Sequence, residues 1–119
     1  MSVHKVADLC GPMLDGAVAL AEGLTFTNHR HNWCLVLDEA EDEMRVYEPS
    51  VDWDLAGPII ERERISLHFE YDPEHPQIWH ALTHTRPLIK ASVGTGERAL
   101  IAAMRAYVAS KFGEMVELP

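Results

Sequence analysis

Apolar and polar positions alternate along this chain with two distinct periods. Leu14, Ala17, Val18 and Ala21 recur at spacings of three and four, which predicts a helix over residues 11–23. Pro12 suits its first turn and Gly23 suits a left-handed stop. The alanines predict close packing against a neighbour, while Gly16 inside the helix costs roughly 1 kcal/mol relative to alanine. Residues 33–37 form a short continuous apolar run, the pattern of a buried strand. Residues 44–47 alternate, and the two runs are expected to pair as a hairpin across the acidic loop 38–43. Residues 48–58 show no period and contain two prolines, which predicts an irregular loop.

Ile65, Leu67 and Phe69 alternate with Ser66, His68 and Glu70, so residues 65–69 read as a half-buried strand. Asp72 and Pro73 resemble a helix start, with Pro76 in the first turn. Ile78, Trp79 and Leu82 would face inward on a short helix ending before Pro87. The strongest local signal is a helix over residues 95–112. Thr95 is placed to cap it, Glu97 complements its dipole, and Lys111 and Gly113 close it. Leu100, Met104, Tyr107, Val108 and Phe112 make its apolar stripe, and residues 115–118 are expected to add a terminal strand.

These elements predict an α+β fold. It would hold a small antiparallel sheet of about three to four strands, built from 33–37, 44–47 and 65–69. Two main helices would pack on that sheet, with one further short helix. A chain of 119 residues with 47% hydrophobic content fits a single globular domain, 1–119. No apolar run approaches the ~20 residues of a membrane span. The first eight residues lack the apolar stretch of a signal peptide, so a cytoplasmic location is expected. Cys10 and Cys34 are accordingly expected to be reduced. A net charge of -9 repels phosphate backbones and anionic lipids, which argues against direct nucleic-acid or membrane binding.

Candidate chemistry is sparse. Trp53, flanked by Asp52 and Asp54 and followed by Gly57 and Pro58, offers a large apolar face and one N–H donor in the stretch Pro49 to Glu63. Recognition surfaces use that combination, although a tryptophan folded back over the sheet fits the same residues. Asp15 and Glu22 lie seven residues apart on the first helix, about 10 Å along one face, with Glu61 available as a third carboxylate. With nineteen acids in the chain, such pairings also arise by chance. Arg105 sits mid-helix off the main stripe, and a buried arginine there needs a carboxylate such as Asp15, Glu61 or Glu63.

His29 and His31 have strand spacing, while His80 and His84 would meet on a helix. No HExxH or CxxC accompanies them, so neither a metal nor another cofactor is expected. Residues 92–97 open a helix but lack the P-loop pattern GxxxxGK[ST], so they read as capping. No motif marks the chain as an enzyme.

Several blocks taken together resemble the NinX-like family of phage and prophage proteins. They are Val6-Ala7-Asp8-Leu9 with Gly11, Leu14-Asp15, and Val18-Ala19 leading to Ala21-Glu22-Gly23. Pro49-Ser50, Asp52-Trp53 and Gly57-Pro58-Ile59-Ile60-Glu61-Arg62-Glu63 continue the match, and residues 102–113 complete it. The resemblance implies a small accessory product acting inside a bacterial host, and it carries no chemistry. The family often has an aromatic residue after the Leu-Asp pair, where this chain has Gly16. The segment from Phe69 to Val93 matches poorly.

Three functions therefore stand at this level. The first is a non-enzymatic module binding an unidentified host or phage protein, with its oligomeric state open. The second is a small-molecule binder or small enzyme using Asp15, Glu61 and Arg105. The third is an acidic mimic of nucleic acid, using loop 38–43 against a host DNA-binding protein.

Overall fold

The computed structural model describes residues 2–29, 32–71, 73–74, 78–84 and 92–119. Helix α1 (Gly11–Ala21) buries Leu14 to Ala19 without interruption. Helix α3 (Ala99–Phe112) buries Leu100, Ala102, Ala103, Met104, Ala106, Tyr107 and Val108. So many small residues on both helices let the backbones approach closely, and the two helices contact each other directly. A single strand pair, β1 (Ser2–Lys5) and β8 (Met115–Leu118), ties the chain ends together antiparallel.

Two antiparallel three-stranded sheets flank these helices. The first has the order β2–β3–β4, from Phe26–His29, Trp33–Asp38 and Glu43–Val46. Its hairpin register sets Leu35 opposite Val46 and Leu37 opposite Met44. The second has the order β5–β6–β7, from Ser66–Glu70, Ile78–Leu82 and Val93–Gly96, and it packs on α3. The α+β class is as the sequence predicts. The expected single sheet is instead divided, because residues 66–70 pair with 78–82 rather than with the 33–46 hairpin.

Helix α2 (Trp53–Glu63) replaces the loop expected from two prolines. Its start is fixed by Asp52, whose side chain accepts a hydrogen bond from the Asp54 N–H at 2.9 Å. Ala56 and Ile59 are buried, with Leu55 and Ile60 packed beside them, so an apolar face overrides the local breaker. Pro58 sits inside the helix and removes one ladder bond. It and Asp54, four residues earlier, are both exposed, so water can serve the carbonyl left without a donor.

The short helix expected around residues 78–82 is strand β6. Pairing on both edges, to β5 and β7, overrides the local helical spacing. Ala81 is buried and Trp79 packs against the core, whereas Ile78 and Leu82 lie on the opposite face. Asp72, Pro76 and Pro87, which framed that expectation, lie outside the described residues. Thr95 belongs to β7 and does not cap α3. The cap position is Arg98, whose side chain makes no capping bond.

Gly16 has a specific neighbour. A Cβ there would meet the Asn28 Nδ2 at 2.9 Å and the Phe26 ring at 3.2 Å. Strand β2 thus lays its side chains directly over α1. Phe26 thereby brings an aromatic ring beside the Leu14-Asp15 pair.

Candidate functional site

Asp52 and Trp53 form the start of α2. The turn before them is held by Val51 and Asp52 N–H groups donating to the Glu48 carbonyl, each at 3.0 Å. This turn is anchored from below: the Ser50 N–H donates to Asp15 Oδ1 at 2.9 Å. Above the anchor, Trp53 is 56% exposed and Val51 beside it 55% exposed. They line a cleft of about 250 Å³ together with Trp79, Arg98 and Leu100. Trp79 stacks at a tilt on Phe69, with ring centroids 5.2 Å apart. The tryptophan does not fold back over the sheet.

Gly57, Pro58 and Glu61 follow along α2, with Pro58 and Glu61 exposed. Asp15 is nearly closed off from solvent, and among the described residues no cation pairs with it. Burial pushes its carboxyl up from the ordinary 3.8 to about 6; hydrogen bonds from Ser50 offset part of the rise, and Glu48 adds to it.

Among the described residues, Arg105 reaches no acid. Its Nε donates to the Leu9 carbonyl and its Nη1 to the Thr95 carbonyl, both at 2.8 Å. It therefore stitches the chain before α1 and strand β7 onto α3, in place of the expected carboxylate partner. Asp15 is held by Ser50, Arg105 by the Leu9 and Thr95 carbonyls, and Glu61 is exposed on α2, so among the described residues these three do not meet.

Sequence reasoning missed a different cluster. Arg62 forks onto Glu22, with Nη1 and Nη2 at 3.1 and 2.8 Å from its two oxygens. The Tyr107 hydroxyl donates to the same carboxylate at 2.7 Å. Glu63 joins Arg62 and Lys111, each at 3.3 Å, and both cations lie over the Tyr107 ring. This network clamps the ends of α1, α2 and α3 together. Glu22 is thus an ion-pair partner and not one half of a catalytic carboxylate pair with Asp15. An arginine one residue before a glutamate on a helix was the available signal, but it does not name a partner 40 residues away.

Burial is the largest single influence on Glu22 and pushes its pKa up. The hydrogen bonds and charges of Arg62, Tyr107 and Lys111 together outweigh it and hold the carboxyl below its usual range. A carboxyl held low stabilises the folded chain at neutral pH, and that contribution is lost as pH falls through the folded value. Glu22→Gln is accordingly expected to cost about 1–2 kcal/mol at pH 7. Urea unfolding should show a smaller deficit at pH 3; an equal deficit at both would remove the electrostatic account.

The histidines are dispersed. His80 lies on β6, directly opposite His68 on β5, and its Nε2 approaches Glu70 at 3.0 Å. His84 lies beyond β6 and meets Ser66 Oγ at 2.5 Å, so no helix joins it to His80. His29 falls on β2, and His31 lies outside the described residues. Among the described residues, no group of three His, Cys, Asp or Glu side chains is placed to hold a metal. Cys10 is exposed and Cys34 buried, both as free thiols; burial pushes the Cys34 thiol up to about 12, and the nearby Asp15 charge adds to the rise. Among the described residues, no helix is long and apolar enough to cross a membrane.

An acidic α+β protein with an exposed tryptophan at the mouth of a cleft, and without a convergent catalytic cluster among its described residues, is the class these features define. The family described as Bacteriophage P22, NinX matches residues 5–111, and the chain belongs to that family. No curated protein matches it.

Proposed function

We propose that this NinX-family chain is a phage accessory protein that acts inside the bacterial host by binding another protein, of phage or host origin, without catalysis. The observation that carries the reading is the exposure of Trp53 beside Val51 at the mouth of a cleft. A tryptophan left in water forgoes a large burial energy, and a partner that covers it recovers that energy. The turn presenting it is fixed by hydrogen bonds to Glu48 and Asp15, so little ordering entropy remains to be spent on binding.

The alternative of a small-molecule binder or enzyme on Asp15, Glu61 and Arg105 has less support, since Asp15 and Arg105 are held by different neighbours and Glu61 is exposed on α2. The nucleic-acid mimic has less still. Its acids occupy one hairpin tip, where Arg45 already pairs with Asp38 at 2.8 Å and Glu43 at 3.2 Å.

Affinity capture from infected host cells, comparing wild type with Trp53→Ala, tests the reading. An exposed side chain contributes little to folding, so the variant's stability is expected to stay within about 0.5 kcal/mol of wild type. Its partner should be lost, with affinity falling by about tenfold or more. A partner retained equally by both proteins would count against Trp53 as the contact.

A further inference from the structure

The β2–β3–β4 sheet has two faces of different fate. Phe26, Asn28, Cys34 and Val36 point toward α1, and of these Phe26, Cys34 and Val36 belong to or pack on the core. The alternate residues Trp33, Leu35 and Leu37 on β3 share the other face with Met44 and Val46 on β4, as the cross-strand register dictates. Trp33 is 52% exposed, Val46 47% and Met44 42%, while Leu35 and Leu37 are half-buried and join no core cluster. Five large apolar side chains therefore form one continuous band on β3 and β4, and none of them belongs to or packs on the buried core. An antiparallel sheet with one face on the core ordinarily turns polar residues outward. This one does not.

The charge around that face is lopsided. Trp33 lies at one end of the hairpin. The other end runs into Asp38, Glu39, Glu41, Asp42 and Glu43, where Asp42 takes a left-handed turn conformation with φ 51°. Arg45 compensates Asp38 and Glu43, whereas among the described residues no cation pairs with Glu39, Glu41 or Asp42.

We propose that the outer face of β2–β3–β4 docks an amphipathic helix of a partner protein, with Lys and Arg clustered at the end that lies over the 38–43 hairpin. The dimensions agree. Two strands about 4.8 Å apart give an apolar band roughly 10 Å wide, matching one helix of about 10 Å diameter, with Thr27 of β2 at its edge. A helix is also the element that normally covers an apolar sheet face. Its basic end answers the three uncompensated acids. A second copy of this chain would instead bring a second charge of -9 and a second acidic hairpin. This surface is separate from the Trp53 cleft, and either can fail without the other.

The test uses a synthetic helix of about 18 residues, long enough to hold its conformation, with a leucine stripe and lysines at one end. Fluorescence anisotropy of the labelled peptide is expected to report saturable binding to the full chain. The paired variant Met44→Ser, Val46→Ser should weaken it about tenfold or more, and Glu39→Lys with Glu41→Lys should weaken it with reduced salt dependence. All four positions are exposed, so unchanged circular dichroism and melting temperature are expected for both variants. Trp53→Ala should leave the affinity unchanged.

Several outcomes would overturn the proposal. They are no binding to wild type, equal binding by a lysine peptide whose leucines are replaced by serine, or loss of binding in Trp53→Ala. A wild-type dimer in sedimentation that the Met44→Ser, Val46→Ser variant dissolves would overturn it too, because a second copy would then own the face.

Discussion

Gly94→Ala is expected to cost about 3 kcal/mol or more and to leave little folded protein at 37 °C, although it adds a single methyl group. Gly94 lies on β7 where that strand crosses α3. A Cβ there would stand 2.1 Å from the Ala102 carbonyl oxygen and 2.4 Å from the Ala106 N–H nitrogen. Both neighbours are backbone atoms of a buried helix, so no side chain can swing away and the strand itself has to move. Moving β7 also disturbs its pairing with β6 and the Arg105 bond to Thr95. Gly57→Ala supplies the contrast. Apart from its chain neighbours and its own helix backbone, nothing lies within 4 Å of a Cβ there, and the residue is inside α2. The next residue is Pro58, whose ring disfavours the helical conformation for a preceding residue with a Cβ, so this offsets the gain in helix propensity and the change is expected to stay within about 1 kcal/mol of wild type. Denaturant midpoints of the two variants check the contrast, and a Gly94→Ala midpoint equal to wild type would refute the contact.

The same glycine shows where the sequence is legible and where it is not. Residues 92–97 read as a helix opening because glycines beside a threonine look like caps. Their actual use is to let a strand touch a helix, and a contact across the sheet leaves no local trace. The long helix and the hairpin were readable because period and turn chemistry are local. Strands β1 and β2 were not, since Ser2–Lys5 and Phe26–His29 are polar in part and owe their form to distant partners. Residues 78–82 carry helical spacing and strand pairing at once, and two neighbouring strands decide between them. Pro58 misled in the opposite direction. A proline on the exposed side of a helix forfeits one bond, while Asp52 and the buried Ala56 and Ile59 hold the element together. Trp53, singled out from its flanking residues alone, does stand in solvent. Arg105 was noticed for its odd position, but carbonyl partners cannot be inferred from spacing.

Asp15→Asn is expected to stabilise the protein at neutral pH, by about 2–3 kcal/mol, and to do so only there. A carboxyl whose pKa rises from 3.8 unfolded to about 6 folded favours the folded state only while protonated. Below pH 4 both states hold the proton and the charge costs nothing. Between pH 4 and 6 the unfolded chain ionises first, and above pH 6 the folded chain carries the full penalty of a desolvated, unpaired carboxylate; at about 1.4 kcal/mol per pKa unit this gives the stated size. Asparagine keeps an oxygen for the Ser50 N–H and removes the charge, so the gain should shrink to nearly nothing at pH 3.5. Urea unfolding at pH 7.5, 5 and 3.5 measures that slope, and a gain independent of pH would defeat the argument. The Ser50 bond also fixes the turn that presents Val51 and Trp53. Asp15→Asn should therefore leave Trp53-dependent capture intact, whereas Asp15→Ala, which removes the acceptor as well, should loosen the turn and weaken capture.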